Sequence, residues 1–187
     1  MKIAVLGAGA MGMLFGGYLS RENHVYLVDV NPDRIEKIRQ DGVMIREPDG
    51  DIVLRPDAVT DTADLGEMDL IIVFVKAMFT VSALQANKCL IGKDTYLMTL
   101  QNGAGHEAKL LQFVDKDHVI IGSTQHNSSV LENGHINHAG GGKTSIGLLN
   151  GHSERILPLA QTMTACGIDC TVSNEVKRQI WNKLFLN

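Results

Sequence analysis

The sequence predicts an α/β fold with a doubly wound, mainly parallel sheet. The first forty residues alternate between short β-rich apolar runs and segments with helical apolar spacing, joined by short connections. The run "LIIVFV" is apolar throughout, as is typical of a strand covered on both faces. The 187 residues are 44% hydrophobic and 20% charged, which suits one globular domain with a substantial core.

Capping and turn residues delimit the elements of the first half. Asn31 is placed to cap the second helix with Pro32 at its first position, and Gly42 ends that helix. The dipeptide at 49–50 predicts the turn of a hairpin insertion over 43–60. The predicted strands span 2–7, 24–30, 68–77, 94–103, 117–130 and 168–173, and the predicted helices 10–23, 33–42, 80–90, 105–114 and 153–167.

Glycines and polar residues organise the second half. Residues 134–151 predict two short antiparallel strands, Ser153 a helix cap, and the closing helix begins after Ser173. The stretch "GGGKT" invites comparison with a phosphate loop, but Asn137 stands where that motif requires glycine. The residues after it resemble a strand rather than a helix, so a plain turn followed by a strand is predicted.

Composition excludes several classes of partner. The net charge of −4 and the absence of basic clusters argue against nucleic acid or an anionic membrane surface. Glycines interrupt the first apolar run, unlike a signal peptide, and no run reaches the roughly 18–20 residues of a membrane span. We therefore expect a cytoplasmic protein.

The cysteine pair at 166 and 170 is only a weak metal signal, and the histidines lack metal-ligand spacing. The three cysteines predict buried thiols in a reducing compartment rather than a disulfide framework. The histidines at 126, 135 and 138 are predicted to be mostly surface or packing residues. No metal site is expected. The cysteines are Cys89, Cys166 and Cys170.

A glycine-rich turn carries the first functional signal. The stretch "GAGAMG" fits G-x-G-x-x-G, follows a predicted strand and opens a predicted helix, which is the context of a Rossmann-type dinucleotide site. Gly7 allows the tight turn, Gly9 lets a pyrophosphate approach the backbone, and Gly12 lets helix and strand pack closely. The alternative is a purely structural turn. The predicted cofactor-binding residues here are Gly7, Ala8, Gly9, Ala10, Met11 and Gly12.

Asp29 ends the second strand, where an acidic residue accepts hydrogen bonds from the ribose hydroxyls of NAD and repels the 2′-phosphate of NADP. The next basic residue, Arg34, lies inside the following helix and not at the strand end. NAD is therefore the expected cofactor and NADP the less favoured one. The alternative makes Asp29 a helix-entry aspartate.

Five motifs in order carry a family resemblance. With the glycine loop, "FVKA", "QNG", "GSTQH" and "WNKLFLN", the whole chain resembles the ketopantoate reductase family. The resemblance implies a Rossmann domain followed by an all-helical domain. It also implies reduction of a 2-keto acid to an (R)-2-hydroxy acid, with a nicotinamide cofactor bound in the cleft between the two domains.

The resemblance also assigns residues. It implies that Lys183 is the catalytic acid, that Asn102 lies near the nicotinamide and helps hold this lysine, and that Asn187 binds substrate. An ammonium can stabilise and then protonate the oxygen of the reduced keto group. Lys76 matches a cofactor-cleft lysine, with a solvent-facing helix start as its alternative. The segment containing Thr124, Gln125 and His126 matches a strand end near the cofactor, and Ser128 a backbone contact to it.

Two departures qualify the resemblance. Asp29 replaces the basic residue of NADPH-dependent members, so we expect an NAD-dependent D-2-hydroxyacid dehydrogenase of the D-mandelate type, with 2-dehydropantoate 2-reductase as the alternative. The resemblance places the helical domain after residue 187, so we expect this chain to be a truncated form. We expect a Rossmann domain over 1–172, the start of an interdomain helix over 173–187, cofactor binding with little turnover, and a homodimer in the full-length protein. A non-catalytic NAD-binding module is the alternative from another class.

Overall fold

The computed structural model describes residues 1–132 and 134–186. The strands are β1 (Lys2–Leu6), β2 (His24–Val28), β3 (Val43–Glu47), β4 (Gly50–Leu54), β5 (Asp57–Val59), β6 (Leu70–Val73), β7 (Tyr96–Thr99), β8 (Val119–Thr124), β9 (Asn127–Val130), β10 (Ile136–Gly140), β11 (Thr144–Leu148) and β12 (Cys170–Val172). The helices are α1 (Ala10–Leu19), α2 (Pro32–Asp41), α3 (Thr80–Ala86), α4 (Glu107–Leu110), α5 (Leu157–Ala165) and α6 (Val176–Leu186).

Within that part of the chain, the main sheet has eight strands in the order β12-β11-β8-β7-β6-β1-β2-β5. Six neighbouring strands from β8 to β5 are parallel, and β11 runs antiparallel to β8. The chain moves from β1 to β2 on one side and returns to β6 on the other. This reversal creates a crevice at the carboxyl end of β1, where ligands of open α/β sheets bind. The predicted fold class is confirmed.

A second sheet, which the sequence reasoning did not predict, has the order β4-β3-β10-β9. The predicted hairpin supplies β3 and β4, whereas β5 leaves the insertion and joins the main sheet beside β2. The single strand predicted over 117–130 is wrong, because β8 belongs to the main sheet and β9 to the second one. The two strands predicted over 134–151 are present, but they pair with strands of different sheets rather than with each other.

Both faces of the main sheet are covered. Helix α1 is buried from Gly12 to Leu19 because it lies between the main sheet and the second sheet. The other face is covered by α3, α4 and the first turn of α6, through buried residues such as Leu84, Leu110 and Val176. Helices α3 and α4 are shorter than predicted. None of the helices in the described part of the chain has the length and apolarity needed to cross a bilayer.

The predicted helix caps have different outcomes. Asn31 Oδ1 accepts a hydrogen bond from the Arg34 backbone N–H at 3.1 Å, which confirms the cap of α2. The predicted cap at Ser153 is wrong, because a 3₁₀ turn precedes α5. The buried Ser153 hydroxyl instead accepts from the Leu148 N–H at 2.9 Å and fixes the end of β11.

Candidate functional site

The glycine turn joins β1 to α1 at the crevice between β1 and β6. Gly7 has a φ of +100°, and a Cβ there would lie 2.9 Å from the Val75 backbone nitrogen. Glycine is therefore required both by conformation and by space. A Cβ on Gly12 would overlap the carbonyl oxygen of Gly7, so Gly12 is required for the close packing of α1 against the turn.

The start of α1 fits a bound phosphate. Gly9 is the N-cap residue, and nothing lies within 4 Å of the place a Cβ would occupy there. Helix α1 has no side-chain cap and no acidic residue in its first turn, which begins at Ala10. The first N–H groups of α1 therefore have no side-chain cap, and the space beside Gly9 is open, which suits the pyrophosphate of a dinucleotide.

Asp29 lies directly beside this turn. Its Oδ2 accepts a hydrogen bond from the Ala8 N–H at 2.8 Å, and its Oδ1 accepts one from the Asn31 N–H at 3.0 Å. Asp29 and Gly7 line a cavity of about 470 Å³ that also includes Val30 and Phe79. The cavity has the position and size expected for the adenosine half of a dinucleotide.

The structure adds a contact that chain order did not reveal. Although Arg34 belongs to α2, its guanidinium reaches back to Asp29, with Nη1 at 3.1 Å from Oδ2. The Asp29 side chain is only 11% exposed, so this ion pair is partly shielded from water. The carboxylate that would select NAD therefore has a cation beside it that could contact a 2′-phosphate.

A second cleft, of about 590 Å³, shares Val75 with the cavity at Asp29. Lys183 reaches it from α6, and its Nζ donates to the Thr124 carbonyl oxygen at 2.9 Å and to Asn102 Oδ1 at 3.4 Å. Thr124 ends β8 and Asn102 follows β7, so the carboxyl ends of parallel strands place both acceptors at the same edge. Met11, from the first turn of α1, lines the same cleft.

Of the remaining predicted residues, two line the cleft and one is not described by the structure. Lys76 and Ser128 both line the cleft of Lys183, and Lys76 is also the residue that precedes a 3₁₀ turn at Ala77–Phe79. The Ser128 hydroxyl is buried and has no hydrogen-bond partner among the described residues, which suits a site that receives a polar ligand. Asn187 lies outside the described residues.

Sequence reasoning missed Gln101. Its Nε2 donates to the Val75 carbonyl oxygen at 2.5 Å, and its Oε1 accepts from the hydroxyls of Thr80 at 3.3 Å and Thr99 at 3.0 Å. Gln101 therefore ties the end of β7 to the segment that carries Lys76. The residue stands inside the quoted "QNG" motif, so a signal for it was present in the sequence.

The cysteines agree with the prediction only in part. Cys166 and Cys170 are buried, whereas Cys89, on the 3₁₀ turn after α3, is exposed. Burial raises the pKa of the Cys166 thiol, and raises that of Cys170 to about 12, so both stay protonated at neutral pH. Within residues 1–132 and 134–186, no group of three or more metal-ligating side chains is present.

Comparisons with known proteins agree with this geometry. A family model described as "Ketopantoate reductase PanE/ApbA" matches residues 3–151. The 2-dehydropantoate 2-reductase of Halobacterium salinarum is 35% identical over 193 residues, which cover 100% of this chain and 62% of that protein.

Two solved structures are similar over nearly all of the chain. The 2-dehydropantoate 2-reductase of Geobacter metallireducens GS-15 superposes with a TM-score of 0.91 at 29% identity, covering 100% of this chain and 62% of that one. A ternary structure of D-mandelate dehydrogenase with NADH and anilino(oxo)acetate superposes with a TM-score of 0.89 at 31% identity, covering 98% and 60%. This chain thus spans about three fifths of the length of these relatives. On the match over residues 3–151, the chain belongs to the ketopantoate reductase PanE/ApbA family.

Proposed function

We propose that this chain is the cofactor-binding part of an NAD(P)-dependent reductase that converts 2-keto acids to 2-hydroxy acids. The observation that carries the proposal is the placement of Lys183. Its ammonium lies at the carboxyl edge of the sheet, 2.9 Å from the Thr124 carbonyl oxygen, in a cleft that shares Val75 with the cavity at Asp29.

The proposed chemistry uses groups already in place. A bound nicotinamide cofactor supplies the hydride. Lys183 lies where it can donate a hydrogen bond to the keto oxygen of a substrate in the cleft, stabilise the charge that develops there, and protonate it. Asn102 keeps the ammonium directed toward the cleft through its Oδ1, 3.4 Å from Nζ. Asn187 stays a predicted substrate-binding residue.

We propose 2-dehydropantoate as the substrate, which was the alternative in the sequence analysis. Relatives with this activity in their names include that of Halobacterium salinarum at 35% identity. An aromatic 2-keto acid, which would be reduced to a D-2-hydroxy acid, is the second candidate substrate, and two observations favour it. These are the carboxylate of Asp29 and the similarity to D-mandelate dehydrogenase in complex with NADH. A cytoplasmic location and a homodimer of the full-length protein stay predictions.

Binding and turnover test the proposal separately. We expect NADH to bind with a change in its fluorescence, and reduction of 2-dehydropantoate to be faster than reduction of an aromatic 2-keto acid. Faster reduction of the aromatic acid would favour the second candidate. NADH binding without any turnover agrees with the expectation of little activity for these 187 residues, and also with a non-catalytic module. Absence of binding by both NADH and NADPH would contradict the proposal.

Asp29 is proposed to select NAD. In Asp29→Asn, NADH should bind about 10- to 100-fold more weakly, because charge-assisted hydrogen bonds to the ribose hydroxyls are lost. NADPH should bind about tenfold more tightly, because repulsion of the 2′-phosphate is removed and Arg34 becomes available to it. Fluorescence titration of both cofactors measures the two changes.

The matched control is Arg34→Gln. Arg34→Gln alone should change the affinity for NADH by less than about threefold, since the Asp29 carboxylate remains. Combined with Asp29→Asn it should remove the gain for NADPH. If Asp29→Asn leaves the ratio of the two affinities unchanged, Asp29 does not select the cofactor.

A further inference from the structure

Four polar side chains form a continuous chain of hydrogen bonds from the second sheet to the turn after β8. The Tyr18 hydroxyl donates to Glu47 Oε1, and His138 Nδ1 lies 2.9 Å from both Glu47 carboxylate oxygens. His138 Nε2 is 2.9 Å from His126 Nδ1. We call these residues, Tyr18, Glu47, His138 and His126, the polar chain. They come from α1, β3, β10 and the β8–β9 turn.

The polar chain is shielded from water. His138 is 5% exposed and the Glu47 side chain 17% exposed. A carboxylate at this depth needs donors, and Tyr18 and His138 supply them. Burial, followed by the hydrogen bond to Glu47, raises the pKa of Tyr18, so its hydroxyl remains a donor. Burial, followed by the charge of His138, lowers the pKa of His126, so this ring is neutral at pH 7.

The far end of the polar chain meets the contacts of Lys183. The His126 backbone N–H donates to Thr124 Oγ1 at 3.2 Å, and this hydroxyl lies 2.9 Å from the hydroxyl of Thr144 on β11. The carbonyl oxygen of the same Thr124 accepts from Lys183 Nζ at 2.9 Å. His126 is therefore anchored by its side chain to the second sheet and by its backbone to the residue that holds the lysine.

The surface contains a histidine–carboxylate pair of a different kind. His152 Nδ1 lies 3.5 Å from Glu154 Oε1, and the two side chains are 71% and 62% exposed. Exposed pairs of this kind contribute little to structure. His152 therefore provides a matched control for His126.

We propose that His126 is a positioning residue. Fixed by His138 and Glu47, it holds the turn at Thr124 and thereby keeps the Lys183 ammonium directed into the cleft. The role of Lys183 as the acid rests on the proposed function. The hydrogen bonds that hold Lys183 can be tested without cofactor or substrate.

Two variants of His126 distinguish loss of the contact to His138 from replacement of the imidazole ring itself. His126→Asn places an amide near the former Nδ1, so the contact to His138 is kept. His126→Gln places the amide near the former Nε2, so that contact is lost. Competitive labelling with acetic anhydride and mass spectrometry measures the reactivity of Lys183 relative to Lys177, an exposed lysine on the same helix.

In His126→Gln, loss of the contact to His138 should let the turn at Thr124 shift and break the hydrogen bond between Lys183 Nζ and the Thr124 carbonyl oxygen. Loss of one hydrogen bond of ordinary strength should raise the ratio of Lys183 to Lys177 labelling about fivefold. It should stay near the wild-type value in His126→Asn and in His152→Gln. A lower melting temperature with an unchanged ratio would show a purely structural role and overturn the proposal. If His126→Gln does not fold, His126→Ala is the second variant and must show the same rise. NADH titration of the wild-type chain reports independently on the proposed function.

Discussion

Gly9→Ala is expected to weaken NADH binding by about 100-fold or more while leaving the fold intact, because the new methyl group would occupy the place of the pyrophosphate and block several charge-assisted hydrogen bonds. Nothing in the protein lies within 4 Å of this position, so the substitution causes no internal clash. NADH fluorescence titration and thermal denaturation of the same preparation measure the two properties.

Gly12→Ala, three residues later, should behave differently. Its Cβ would overlap the Gly7 carbonyl oxygen, a backbone atom that cannot move without distorting the turn. Overpacking of this kind costs about 1–3 kcal/mol or more, which lowers the melting temperature of a chain of this size by several degrees. Both stability and NADH binding should therefore fall.

Gly141→Ala is the control for both substitutions. Gly141 has no atom within 4 Å of its Cβ position and no left-handed φ, so neither stability nor binding should change. Wild-type NADH affinity in Gly9→Ala would exclude the glycine turn as the phosphate site. A Gly12→Ala variant as stable as Gly141→Ala would show that the close packing of α1 against the turn is not required.

In any preparation that turns over 2-keto acid, Lys183→Met should lower the rate by about 10²–10⁴-fold, because both proton donation and stabilisation of the oxygen are lost. NADH affinity should change by less than about threefold, since an ammonium at the cleft edge contributes mainly to the reaction of the keto group. Steady-state rates and fluorescence titration distinguish the two effects.

The control for this prediction is Lys177→Met, which removes an exposed lysine from the same helix. It should retain the wild-type rate. Equal turnover in Lys183→Met and Lys177→Met would exclude Lys183 as the acid. A large loss of NADH affinity in Lys183→Met would instead assign the lysine to cofactor binding.

The sequence alone was sufficient where the interactions are local. The glycine turn, the Asn31 cap, the β3–β4 hairpin and the alternation of strands and helices each depend on residues close together in the chain. The hairpin turn occupies 48–49, one residue earlier than the predicted 49–50. Backbone conformation and hydrophobic periodicity express such interactions directly, so the fold class and the predicted dinucleotide site could be read from them.

The tertiary structure decided what depends on distant segments. Only packing showed that 117–130 divides between two sheets, that Arg34 reaches Asp29, and that Gln101 ties β7 to the segment of Lys76.

The polar chain is the clearest example, since Glu47 and His138 are 91 residues apart and meet only because β3 and β10 pair in the second sheet. The sequence predicted mostly surface or packing roles for the histidines and gave no sign that His126 and His138 lie within hydrogen-bonding distance, at 2.9 Å. A sequence pattern records spacing along the chain, whereas a hydrogen bond requires proximity in space, and for these residues the pairing of strands creates that proximity.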